Sequence, residues 1–72
     1  MNIEYRMRED MVADEEGVLH RVYGFEAWRD GKAIRVIPDV CCTRDRAEYY
    51  LKLFNALGLS LLHLDDVIEE IL

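Results

Sequence analysis

A chain of 72 residues holds one domain, and at this size folding removes only about 60% of the unfolded surface from water, so stability is marginal and a deep catalytic cleft is disfavoured. Hydrophobic residues make up 51%, and 15 acidic against 9 basic side chains leave a net charge of −6. That sign repels phosphate backbones and anionic lipid, which argues against nucleic acid and membrane surfaces as partners.

No run approaches the ~20 apolar residues of a membrane span. The opening MNIEYRMRED is too charged for a signal peptide, so the expected compartment is the cytoplasm. Residues Asn2 to Glu9 alternate, with Ile3, Tyr5 and Met7 on one face and Glu4, Arg6 and Arg8 on the other, the period of a half-buried strand. The segment Asp14-Glu15-Glu16-Gly17 then predicts a three-residue hairpin loop, a type I turn with Gly17 left-handed, which sets Asp14 opposite Val18. A four-residue loop would slip the pairing by one and send Tyr5 and Met7 to the face opposite Phe25 and Ala27.

Val22 to Asp39 reads as two further strands joined at Asp30-Gly31, a pair suited to the positive φ values of a type I′ turn. Placing Arg29 opposite Lys32 pairs Ala27 with Ile34, Phe25 with Val36, Tyr23 with Pro38 and Glu26 with Arg35. The first hairpin sets Tyr5 beside Ala27, Met7 beside Phe25 and Arg6 beside Glu26. The outer face would then carry a ladder Arg6, Glu26, Arg35 whose alternating signs penalise slipped registers. A flanked, solvated Glu26 has no cause for the shifted pKa that catalysis needs. Val22, Trp28 and Ile37 would stand exposed beside the ladder, and Trp is enriched in interface hot spots, so this face is a candidate homodimer or partner interface, the alternative being that Trp28 is shielded at an edge under the last helix.

The third strand is expected to end after Pro38-Asp39. Thr43 is an N-cap for a helix from about Arg44 to Leu57, whose apolar stripe is Ala47, Tyr50, Leu51, Phe54 and Leu57. Glu48 and Lys52 form an i, i+4 pair, one of Tyr49 and Tyr50 must point away from the core, and Gly58 suits the left-handed C′ position. Ser60 opens a second helix, from about Leu61 to Ile71, with Leu61, Leu64, Ile68, Ile71 and Leu72 on one face. Its other side, Asp65, Asp66, Glu69 and Glu70, sets like charges at i, i+4. Packing of the apolar stripe outweighs that repulsion in the simplest account, with a basic partner or a divalent cation as the alternative.

The adjacent Cys41 and Cys42 cannot bridge without strain and read as reduced thiols. Together with His20 and His63 they lack ordinary zinc spacing. Ser60 and His63 lack an elbow motif and a third orienting group, so a serine nucleophile is not supported.

The runs YGFEAW, VIPDV and LKLFNALGLSLLHLDDVIEEIL resemble a family of short bacterial proteins, mainly of clostridial type, that carry a domain of unknown function. Asn55, Leu57, Leu59, Ser60, His63, Leu64, Asp66, Val67 and Ile68 are the most specific part. Cys41-Cys42 departs from the pattern, as does Leu61 where a proline would suit the first turn. The resemblance implies a compartment and a fold but no catalytic residue, and it draws attention to Asn55, Ser60 and His63 as a polar helix junction.

The expected architecture is α+β: a three-stranded antiparallel β-meander covered on one face by one helix, followed by a short C-terminal helix, β-β-β-α-α over residues 1–72. The expected function is a non-catalytic protein-interaction or regulatory module without cofactor. The alternative is a small-ligand or divalent-metal binding protein using the helix junction or the acidic last helix.

Overall fold

The computed structural model describes residues 3–72. Strands β1 (Glu4–Ala13), β2 (Leu19–Arg29) and β3 (Lys32–Cys41) precede helices α1 (Arg44–Leu57) and α2 (Leu61–Ile71). The sheet is antiparallel in the order β1-β2-β3, so the α+β meander expected from the sequence is the fold. The proposed start of the first strand at Asn2 lies outside the described residues, and β1 runs to Ala13 rather than stopping at Glu9.

The β1–β2 hairpin follows its sequence pattern throughout. Tyr5 faces Ala27, Arg6 faces Glu26 and Met7 faces Phe25. Gly17 has φ 80°, the Asp14 N–H donates to the Val18 carbonyl at 3.0 Å and the Gly17 N–H to the Asp14 carbonyl at 3.0 Å. The Asp14 carboxylate ties the turn together by accepting the Glu16 and Val18 N–H groups, both at 2.9 Å.

The β2–β3 hairpin departs from expectation after its first two pairs. Asp30 and Gly31 have φ 54° and 77°, as a type I′ turn requires, and Arg29 faces Lys32. Ala27 then faces Arg35, Glu26 faces Val36, Phe25 faces Ile37 and Tyr23 faces Cys41, with two breaks in register. The expected pairs Ala27–Ile34, Phe25–Val36, Tyr23–Pro38 and Glu26–Arg35 are therefore corrected. The first break inserts Ile34 as an extra residue, which lets both Ile34 and Ile37 pack against the core cluster, a combination that strict alternation forbids. Beyond the second break β3 continues to Cys41, past Asp39, whose φ is 55°. The Ile37 carbonyl crosses so close to Gly24 that a Cβ there would lie 2.2 Å from it. Only glycine fits.

The core lies between the sheet and the two helices. Tyr5, Tyr23, Phe25, Ala27, Cys41, Ala47, Phe54, Leu64 and Ile68 form one buried cluster. Phe54 is its hub: its ring meets Phe25 edge-on at 5.0 Å, Tyr5 edge-on at 5.5 Å and Tyr50 stacked at 6.2 Å, separations at which aromatic pairs add to simple burial. Helix α1 ends in a Schellman motif, with Gly58 left-handed and the Gly58 and Leu59 N–H groups bonded to the Asn55 and Phe54 carbonyls. Leu57 and Leu72, expected on the apolar stripes, are instead exposed. Thr43 and Ser60 occupy the N-cap positions without a side-chain capping bond. Glu48 pairs with Arg44 at 3.0 Å rather than with Lys52. Tyr49 is exposed while Tyr50 packs against the core.

Candidate interaction surface

The outer-face patch built from Val22, Trp28 and Ile37 is not formed. The shifted β3 register carries Ile37 to the core face opposite Phe25. Val22 is only 7% exposed. Trp28 is half-buried, its ring under the Arg6 guanidinium at 4.1 Å and its Nε1–H donated to Glu26 Oε1 at 2.9 Å. The indole is thus held between both charges of the ladder, with a cation–π contact that desolvation strengthens. Arg35 leaves the ladder altogether. Sharing the Ala27 face, it pairs with Asp65 on α2, while Arg8 takes the neighbouring place beside Glu26 at 3.6 Å.

The polar helix junction is also rearranged. Asn55 accepts the Tyr5 N–H at 2.8 Å and donates its Nδ2–H to the Tyr5 carbonyl at 3.0 Å, and the Tyr5 hydroxyl donates to the Leu59 carbonyl at 2.7 Å. Burial pushes the Tyr5 phenol up, so it stays a donor across the neutral range. Asn55 therefore anchors α1 to the edge of β1 and is committed to structure. An open cleft of about 670 Å³ lies beside it, lined by Ile3, Arg29, Leu57, Leu59, Ser60 and Leu62 among others. Ser60 borders this cleft and His63 does not, so the trio does not converge.

On α2, Asp65 is taken by Arg35, whereas Asp66, Glu69 and Glu70 are exposed and unpaired among the described residues. No group of three or more His, Cys, Asp or Glu side chains among the described residues is arranged to hold a metal ion. Cys41 is buried and Cys42 exposed, both as free thiols, and desolvation raises the Cys41 pKa.

The surface that sequence reasoning missed is the far half of the first hairpin. Pairing of β3 with β2 reaches only Tyr23, so Leu19–Val22 and the facing residues of β1 continue as a two-stranded arm. This gives the molecule an elongated outline of 44 × 24 × 19 Å. The arm exposes four large apolar side chains, Met11 at 54%, Val12 at 41%, Val18 at 51% and Leu19 at 62%. Its tip is acidic and braced, with His20 Nε2 at 2.7 Å from Asp14 Oδ2. The His20 ring, followed by the backbone N–H donors, holds the Asp14 carboxyl below the usual carboxylate range. Farther down, Arg8 clasps Asp10 with Nε at 2.8 Å and lowers its pKa, and Arg21 meets Glu9 at 3.2 Å. The signal was present in the sequence as Met11-Val12 and Val18-Leu19 flanking the turn.

The comparisons add no relative: no family model, curated protein or solved structure matches the chain. Among the described residues no helix is long and apolar enough to cross a membrane.

Proposed function

We propose that the protein is a non-catalytic protein-interaction module that engages its partner through the β1–β2 arm. The observation that carries this reading is the exposure of Met11, Val12, Val18 and Leu19 on a projection that β3 does not flank. Four such side chains on one short ribbon cost solubility unless a partner covers them, and an isolated two-stranded ribbon gains stability when it is packed against something. The ion pairs at Asp10 and Glu9 and the hydrogen bond between Asp14 and His20 hold the arm in shape before binding, which lowers the ordering cost of association.

The test is affinity capture from native extract with the wild-type chain and with a Val18→Lys/Leu19→Lys variant whose fold is verified by circular dichroism. Proteins retained by the wild type should be lost from the variant. An identical set on both, or no retained protein together with no self-association, overturns the reading.

A further inference from the structure

The two edges of the sheet are protected very differently. β3 presents an edge interrupted by two breaks in register and by Pro38, features that blunt strand addition. β1 keeps one unbroken register with β2 from Glu4 to Ala13. Because Asn55 bonds both the N–H and the C=O of Tyr5, Tyr5 directs its backbone groups away from β2. By strand periodicity Met7, Glu9, Met11 and Ala13 do the same. Asn55 makes at Tyr5 the bonds of an adjoining strand. Among the described residues nothing makes them at Met7, Glu9 or Met11.

We propose that a second copy of this chain completes this edge, β1 pairing antiparallel with β1 about a two-fold axis through Glu9. The proposal rests on the interaction reading above and names its partner. Pairing of this kind is isologous, so each favourable contact occurs twice. Centred on Glu9, it sets Arg8 opposite Asp10 of the second copy and Met7 opposite Met11 of the second copy. The first pairing makes an alternating quartet of charges on the outer face. The second covers Met11, now 54% exposed, on the other. The two Glu9 side chains that meet at the axis each retain Arg21 at 3.2 Å, which offsets their repulsion. Moving the axis to Asp10 would oppose two aspartates and set Arg8 against Val12, so charge selects the Glu9 register. One continuous sheet would then run through both copies.

The experiment is sedimentation analysis of the full chain over a wide concentration range, with circular dichroism as a check on fold. The wild type should approach twice the 8.5 kDa chain mass. Glu9→Pro removes an N–H that points away from β2, so it keeps the backbone bonds of the hairpin and loses, like Glu9→Gln, only the charge paired with Arg21, while weakening the dimer by at least about tenfold, as expected for hydrogen bonds lost on both sides of the axis. Glu9→Gln keeps that N–H and relieves the charge at the axis, so it should dimerise at least as tightly as the wild type. Arg8→Glu should weaken the dimer and Arg8→Glu/Asp10→Arg restore it. A wild type that stays monomeric at every concentration overturns self-pairing, while arm-dependent capture of another protein would leave the interaction reading standing. A dimer unaffected by Glu9→Pro overturns the edge as its seat.

Discussion

The two hairpins share β2, and each turns on residues suited to its turn, yet one keeps its register along its whole length and the other loses it after two pairs. The first is decided locally, because alternation in β1 and the Asp14–Gly17 turn agree about which side chains face inward. The second is decided by what lies above it. β3 must deliver Ile34, Ile37 and Cys41 to a core roofed by two helices, and a regular strand cannot place residues three apart, as Ile34 and Ile37 are, on one face. A turn thus fixes register only as far as the side chains on the buried face consent.

The most severe way to break the irregular hairpin is Gly24→Ala. The added methyl would sit 2.2 Å from the Ile37 carbonyl and 2.8 Å from the Pro38 Cα, both of them backbone. Overpacking of this kind costs about 1–3 kcal/mol or more, a large part of the stability of so small a domain. Chemical denaturation should show a lowered midpoint or a largely unfolded chain, and a wild-type midpoint would mean that β3 does not cross Gly24 so closely. A smaller effect is expected where the regular hairpin meets α1. Asn55→Ala should lose about 1–3 kcal/mol, since two backbone groups of Tyr5 lose their partners at a partly buried position. Asn55→Asp should recover only part of this, because a carboxylate accepts the N–H but cannot donate to the carbonyl. Equal stability of the three proteins in urea would remove Asn55 as the anchor. The smallest effect concerns the arm. Asp14 is depressed in the folded state, so its contribution is present above its unfolded pKa and is lost as pH falls through the lower folded value. Asp14→Asn should therefore be modestly less stable than the wild type at neutral pH and converge on it in acid, flattening the acid limb of a thermal-stability profile. An unaltered acid limb would show that the turn does not depend on this charge.

Element order, helix bounds, the first register and both turns were legible because each rests on local rules: alternation, helical spacing, and glycine or aspartate at positive φ. The faces of Arg35 and Ile37 were not, since one inserted residue at Ile34 inverts every later assignment in β3. Pro38 within the strand was the available warning, and the adjacent Val36 and Ile37 made either face look plausible. Asn55 stands out in the sequence only as a polar group at the helix junction. Nothing in its own helix reveals that its amide reaches Tyr5, fifty positions earlier. Leu57 satisfied the helical stripe and still faces water, on the wall of the open cleft at the helix junction.

The last residue of β3 and its neighbour provide a built-in chemical clock. Cys42 meets solvent while Cys41 is sealed beneath the helices, so a soft electrophile finds a single target on the native molecule. Consumption of the second sulfur must wait until the helical roof lifts, and its rate in native buffer therefore counts how often this small core opens.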